Sequence, residues 1–216
     1  MVASSPFVPK PRLRGVSHQW AFFVSLGLGL ILVLAASGGR EIAATAIYAG
    51  SVAALLGTSA LYHRTDWVRE SAHRWMRRAD HAMIFVLIAG TYTPFSVLVL
   101  EGSLATAILI AVWSGAAAGI VLQLAWIDAP EWLSALVYVL LGWVAIAALP
   151  GLISGIGLFA TLLLAVGGLL YTVGAVVYAL KRPDPAPTVF GYHEIFHVFV
   201  LVAAALQYAV IAFYVV

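Results

Sequence analysis

SLATAILIAVWSGAAAGIVLQLAW, residues 103–126, runs without a single formal charge. Wound as an α-helix it would rise about 36 Å, enough to cross a hydrocarbon core about 30 Å thick. In lipid, backbone polar groups must be satisfied within a helix or around a closed barrel. Barrel strands alternate polar and apolar residues; this stretch does not, so it reads as a membrane helix. Similar runs lie on both sides. Residues 17–37, 41–63 and 80–100 precede it; residues 132–149, a segment within 152–180, and residues 192–216 follow. The expected fold is an all-α integral membrane protein of seven transmembrane helices, with a basic arm at residues 1–16 and one seven-helix domain at 17–216.

Composition supports that reading. The 216 residues are 63% hydrophobic and 9% charged, whereas a soluble domain carries about 25% charged residues. With no cysteine, a disulfide framework, a thiolate nucleophile and a cysteine-held zinc are all excluded. A transition metal would need histidine and carboxylate. The charges are also unevenly placed. Lys10, Arg12, Arg14, Arg64, Arg69, Arg74, Arg77, Arg78, Lys181 and Arg182 fall on one side of the predicted topology, and Arg40 alone on the other. The positive-inside rule then puts the N-terminus in the cytoplasm and the C-terminus outside, across the plasma (inner) membrane. These cations read as topology determinants beside lipid head groups; the expected partners are membrane lipids, and nucleic acid is not among them. The first span exceeds the about 7–15 apolar residues of a signal peptide and reads as a retained helix. Gly151, Gly155, Gly157, Gly167, Gly168 and Gly174 in the sixth span read as close-packing positions.

Ionisable residues at membrane depth tend to be functional, and here they share one level. The second helix ends on the inside with Ser59 and His63, the third begins there with Asp80 and His81, and the seventh begins with His193, Glu194 and His197. His193 and His197, four residues apart, stack on one helix face and can chelate one ion, as the paired histidines of zinc proteases do. Ser59 and His63 share that spacing. Three imidazoles are the ligand set of a catalytic zinc with a fourth position for water. Asp80 would bind the metal or hold that water by a hydrogen bond. Taken singly, Asp80 reads equally well as a helix N-cap and Ser59 as a packing hydroxyl. His81 lies about 100° around the helix from Asp80 and is the substitute ligand. His18 and His73 read as interfacial, and Glu194 as an interfacial acid.

Four segments carry a family resemblance: Ser59-Ala-Leu-Tyr-His63, Asp80-His-Ala-Met-Ile-Phe85, Ala89-Gly-Thr-Tyr-Thr-Pro-Phe95 and His193-Glu-Ile-Phe-His197. In this combination the chain resembles the hemolysin III family, the bacterial branch of the progestin and adipoQ receptor superfamily that includes the adiponectin receptors. The resemblance implies seven helices with the N-terminus inside, and a Zn2+ ion held by His63, His193 and His197. It further implies an Asp80 that positions a metal-bound water, with Ser59 one turn before the first histidine. The ligand-sensing N-terminal region of the animal receptors is absent, so a hormone-receptor role does not carry over. Superfamily links to ceramide hydrolysis imply a zinc-dependent hydrolase of a lipid amide or ester, with Asp80 and Ser59 as its catalytic residues. A non-catalytic regulator of lipid state with structural zinc is the alternative. A pore-forming cytolysin fits poorly, because seven apolar spans would insert during synthesis rather than stay soluble.

Overall fold

The computed structural model describes residues 10–126 and 128–216; residues 1–9, including Pro6 and Pro9 of the basic arm, lie outside the described part. The helices are α1 Val16–Ala35, α2 Gly39–Arg64, α3 Glu70–Leu98, α4 Gly102–Ala125, α5 Glu131–Gly142, α6 Leu149–Leu180 and α7 Tyr192–Val210. A 3-10 segment, Trp143–Ala148, joins α5 to α6, and a π-turn at Ile211–Val215 ends the chain. Among the described residues the only β pairing is an isolated bridge between Ala186 and Phe190. The chain is all-α, as expected.

Among the described residues six helical stretches are long and apolar enough to cross a membrane, and the fifth of them runs without a loop from Glu131 to Leu180. A straight helix of that length would extend about 75 Å. Yet Lys181 Nζ lies 3.2 Å from Glu131 Oε1, and Trp143 Nε1 donates to Thr172 Oγ1 at 3.0 Å. The stretch is therefore folded back on itself. The reversal falls at Gly157, whose φ of 81° and ψ of 163° belong to a region that only glycine enters cheaply. The spans read from the sequence, 132–149 and a segment within 152–180, place this turn near residues 150–151. Pro150 is instead accommodated at the first positions of α6, where its missing N–H costs nothing.

The start of α3 also differs from expectation. Residues 64–79 read as a polar linker, but α3 begins at Glu70, so the linker shrinks to five residues and Asp80 sits in the third turn. Its reading as a helix N-cap is thereby excluded. Arg74, Arg77 and Arg78 kept this stretch from looking like a span; they lie on its helical approach, with Arg74 and Arg77 facing Asp128.

α3 is the most buried helix. α2 packs between α1 and α3, α4 packs on the other side of α3, and α7 lies between α6 and α1. Gly174 approaches so closely that an added Cβ would stand 3.0 Å from Phe199 Cβ, and one on Gly167 would stand 3.5 Å from the Ala203 carbonyl. Gly174 serves packing as read, and so do Gly151 and Gly155 against Leu100 and Val99; Gly157 and Gly168 do not, since a Cβ on either would meet nothing within 4 Å. Large apolar side chains cover the outside, among them Phe23, Ile31 and Leu34 on α1, Ile110 and Val121 on α4, and Phe159 on α6. So extensive an apolar exterior suits a lipid environment and would aggregate in water.

Candidate metal centre

Three helix ends converge at one end of the bundle. α2 delivers His63 in its last turn, α7 delivers His193 and His197 in its first two turns, and α3 passes alongside with Asp80. One nitrogen from each of the three histidines lies within 4.8 Å of the other two, and all three residues are buried or nearly so. His63 Nε2 and His193 Nε2 stand 3.2 Å apart. Two bare imidazole nitrogens at that distance repel unless a proton or a cation lies between them. Nitrogens bound to one tetrahedral zinc at about 2.0–2.1 Å stand about 3.3 Å apart; the His63–His193 spacing suits that and equally a shared N–H···N hydrogen bond, and the three histidines together are close enough to hold an ion. His197 keeps a buried Nδ1 without a partner among the described residues. Asp80 Oδ2 lies 3.6 Å from His63 Nε2, near enough to join the group directly or through a water.

The first turn of α7 is tightly held. Glu194 Oε2 accepts the Gly191 N–H at 2.7 Å, closing the helix start, and Glu194 Oε1 pairs with Arg14 Nε. Glu194 is 2% exposed; the expected interfacial acid is a buried partner of the arm. The arm itself is strapped across this end. Arg12 and Leu13 donate their N–H groups to the Thr188 and Val189 carbonyls at 3.0 and 3.1 Å. Gly15 follows with φ 76°, and a Cβ there would come within 2.5 Å of His63 Cβ. Only glycine lets the strap pass so close over His63.

His18 overturns its reading as an interfacial residue. It is 2% exposed on a helix whose other buried residues are Gly29 and Leu32. Its ring stacks on His197 at 3.8 Å between centroids, tilted by 13°, and its Nδ1 hydrogen-bonds Ser59 Oγ at 2.9 Å. Ser59 is buried, and its link is to α1 rather than to its own helix. Spacing could not reveal this contact, because no histidine or carboxylate lies one turn from His18; the available signal was the one ionisable side chain of α1. His81 stays outside the cluster, as its rotation around α3 required, while its carbonyl accepts from Tyr138 at 3.2 Å. His73 is exposed and stacks on Tyr62.

A cavity of about 240 Å³ begins at this centre, where Ser59, Asp80, His193 and His197 line it. It continues among apolar side chains of α3, α5, α6 and α7 as far as Phe95, Leu100 and Leu152. From Asp80 to Phe95 alone α3 advances about 22 Å. A polar, metal-competent end thus opens into a long apolar interior.

The family model described as "Haemolysin-III related" matches residues 8–208, a stretch that contains every residue of this centre. The chain belongs to the haemolysin III family. One relative within it, named "Hemolysin-3 homolog", is from Bacillus subtilis (strain 168); it is 32% identical over 204 residues, covering 93% of this chain and 92% of that protein. Another, named "Hemolysin-3", is from Bacillus cereus and is 29% identical over 218 residues, covering 100% of this chain and 96% of that protein. This haemolysin III chain is therefore similar to the Bacillus cereus relative along its whole length and to the Bacillus subtilis one over most of it.

Proposed function

We propose that this haemolysin III protein is a zinc-dependent hydrolase of a lipid amide or ester. We place it across the plasma membrane seven times, with the N-terminus and the metal centre at the cytoplasmic face. The observation that carries the reading is the cluster of three buried histidines at the mouth of a cavity with apolar walls. Topology rests on the cation asymmetry and on the fold-back at Gly157, which makes two antiparallel limbs of the Glu131–Leu180 stretch.

His63, His193 and His197 would hold the ion. Zinc in such a site supplies Lewis-acid polarisation of a carbonyl and a water acidic enough to ionise near neutral pH. The chain does the remainder. Asp80 Oδ2 accepts the proton of the attacking water and passes it to the departing amine nitrogen or alcohol oxygen. Ser59 Oγ, held by His18, donates its proton as a hydrogen bond to the carbonyl oxygen as negative charge builds there. The cavity takes the acyl chain, and the Arg14–Glu194 strap keeps bulk water from the histidines.

Metal content and hydrolysis together test this. Purified protein should carry close to one zinc per chain, and His193→Ala/His197→Ala should carry none while remaining folded. Asp80→Ala should keep zinc yet lose release of fatty acid from a panel of N-acyl and O-acyl lipids. A folded wild type that neither holds nor takes up zinc would end the proposal. Bound zinc with no hydrolysis across the panel would leave the ion as a clip joining α2 and α7.

A further inference from the structure

Beyond the histidines, the cavity wall is apolar except for a few polar side chains, and most of those are satisfied within the chain. Tyr92 donates to the Gly142 carbonyl, Trp143 to Thr172, Thr161 to the Gly157 carbonyl, and Thr172 to the Gly168 carbonyl. Two others are not: Tyr171 and Gln207 line the same cavity, and the Tyr171 Oη and Gln207 Oε1 atoms are buried without a partner among the described residues. A buried polar atom left unpaired costs free energy, and in a native protein it calls for an explanation.

The two orphans share one depth. Gly167 and Tyr171 are a turn apart on one face of α6, and a Cβ on Gly167 would lie 3.5 Å from Gln207 Cγ. Helical side chains lean toward their own N-terminus, which carries the Tyr171 phenol toward the Gly167 turn and hence toward Gln207. Along α7, Gln207 lies ten residues past His197, about 15 Å from it. A phenol can donate or accept, while a carboxamide oxygen accepts. The ligand group that answers both is a hydroxyl, accepting from Tyr171 and donating to Gln207. An extended alkyl chain advances about 1.25 Å per carbon at ordinary bond lengths and tetrahedral angles. The hydroxyl would then fall about a dozen carbons from the head group at the histidines.

We propose that the cavity is a binding site for an acyl chain hydroxylated near its twelfth carbon, with Tyr171 and Gln207 as the residues that select it. This rests on the reading above in that it places the lipid head at the histidines, but the selection itself needs no turnover. The test is displacement of a fluorescent fatty acid from the detergent-solubilised protein by octadecanoic, 2-hydroxyoctadecanoic and 12-hydroxyoctadecanoic acids. Wild type should favour the 12-hydroxy acid about tenfold over the other two, the worth of about one to two net hydrogen bonds. Tyr171→Phe and Gln207→Leu should each erode that preference while binding octadecanoic acid at least as well as wild type, which also shows that they fold. Equal binding of the three acids by wild type would overturn the proposal and assign the two polar atoms to ordered water. A preference that survives both substitutions would overturn it as well. Failure of every acid to displace the probe would remove the acyl chain from the cavity altogether, and with it the lipid substrate of the proposed hydrolase. Loss of the preference alone would leave that hydrolase standing.

Discussion

Removing the His18 imidazole takes away two contacts at once, the stack on His197 and the hydrogen bond to Ser59 Oγ. The stack fixes the ring plane of His197, and if that residue holds the proposed zinc, losing such outer support should cost about 10–100-fold in metal affinity. The hydrogen bond decides what Ser59 can do. If His18 Nδ1 carries the proton and donates, the serine hydroxyl is free to donate elsewhere; if Nδ1 accepts, the serine proton is already committed. His18→Ala should therefore weaken zinc binding by about 10–100-fold, measured by chelator competition. His18→Phe should keep most of the affinity, because an aromatic ring still backs His197, yet lose the control of Ser59. Unchanged zinc affinity in His18→Ala would reduce the residue to packing. The clustering of His63, His193 and His197 was legible because histidines four apart on a helix, and a third at a helix end of the same depth, are visible in one dimension. His18 was not, because its meaning comes from α1 lying against α2 and α7, a long-range contact without a local period.

At the scale of elements, the spans were legible from apolar length, while two of their boundaries were not. α3 extends ten residues before Asp80 because a helix can begin in the polar zone. Arg74, Arg77 and Arg78 mask that start by lowering the local hydropathy without interrupting the hydrogen-bond ladder. The α6 reversal was hidden for the opposite reason: Gly151, Gly155 and Gly157 look alike in sequence, and Pro150 looks like the breaker. Only Gly157 has the backbone geometry of a turn. Gly151 and Gly155 instead admit close neighbours, Leu100 and Val99. This difference is measurable. Gly157→Ala places a Cβ on a backbone with φ 81° and should destabilise the protein by about 1–3 kcal/mol, read as a lowered unfolding midpoint in detergent. Gly142→Ala, at helical angles with nothing within 4 Å of the new methyl, should be neutral or slightly stabilising. Equal effects of the two substitutions would remove Gly157 as the turning point.

The whole molecule depends on that turn, because it decides the parity of the fold. If the Glu131–Leu180 stretch crosses twice, the chain has seven crossings and its termini lie on opposite sides of the membrane. If it crosses once, there are six and the termini share a side. The contact between Glu131 and Lys181 brings both ends of the stretch to the end of the bundle that also carries Arg14, Arg77 and the histidines, which favours two crossings. The absence of cysteine makes the test clean, since any introduced thiol is the only one. Ser154 is exposed three residues before the turn, Ser71 is exposed at the start of α3, and Val216 ends the chain. With a membrane-impermeant thiol reagent applied to intact cells, Ser154→Cys and Val216→Cys should be labelled, whereas Ser71→Cys should be labelled only after the cells are opened. A Ser154→Cys that stays unlabelled from both sides would place that position in the hydrocarbon and the stretch in a single crossing. Labelling of Ser71→Cys in intact cells would invert the orientation, and the metal centre at the arginine-rich end would then face outward. In that case the lipid reaching Asp80 and the histidines would come from the outer leaflet, and zinc loading would follow the metal of the surroundings rather than that of the cytoplasm.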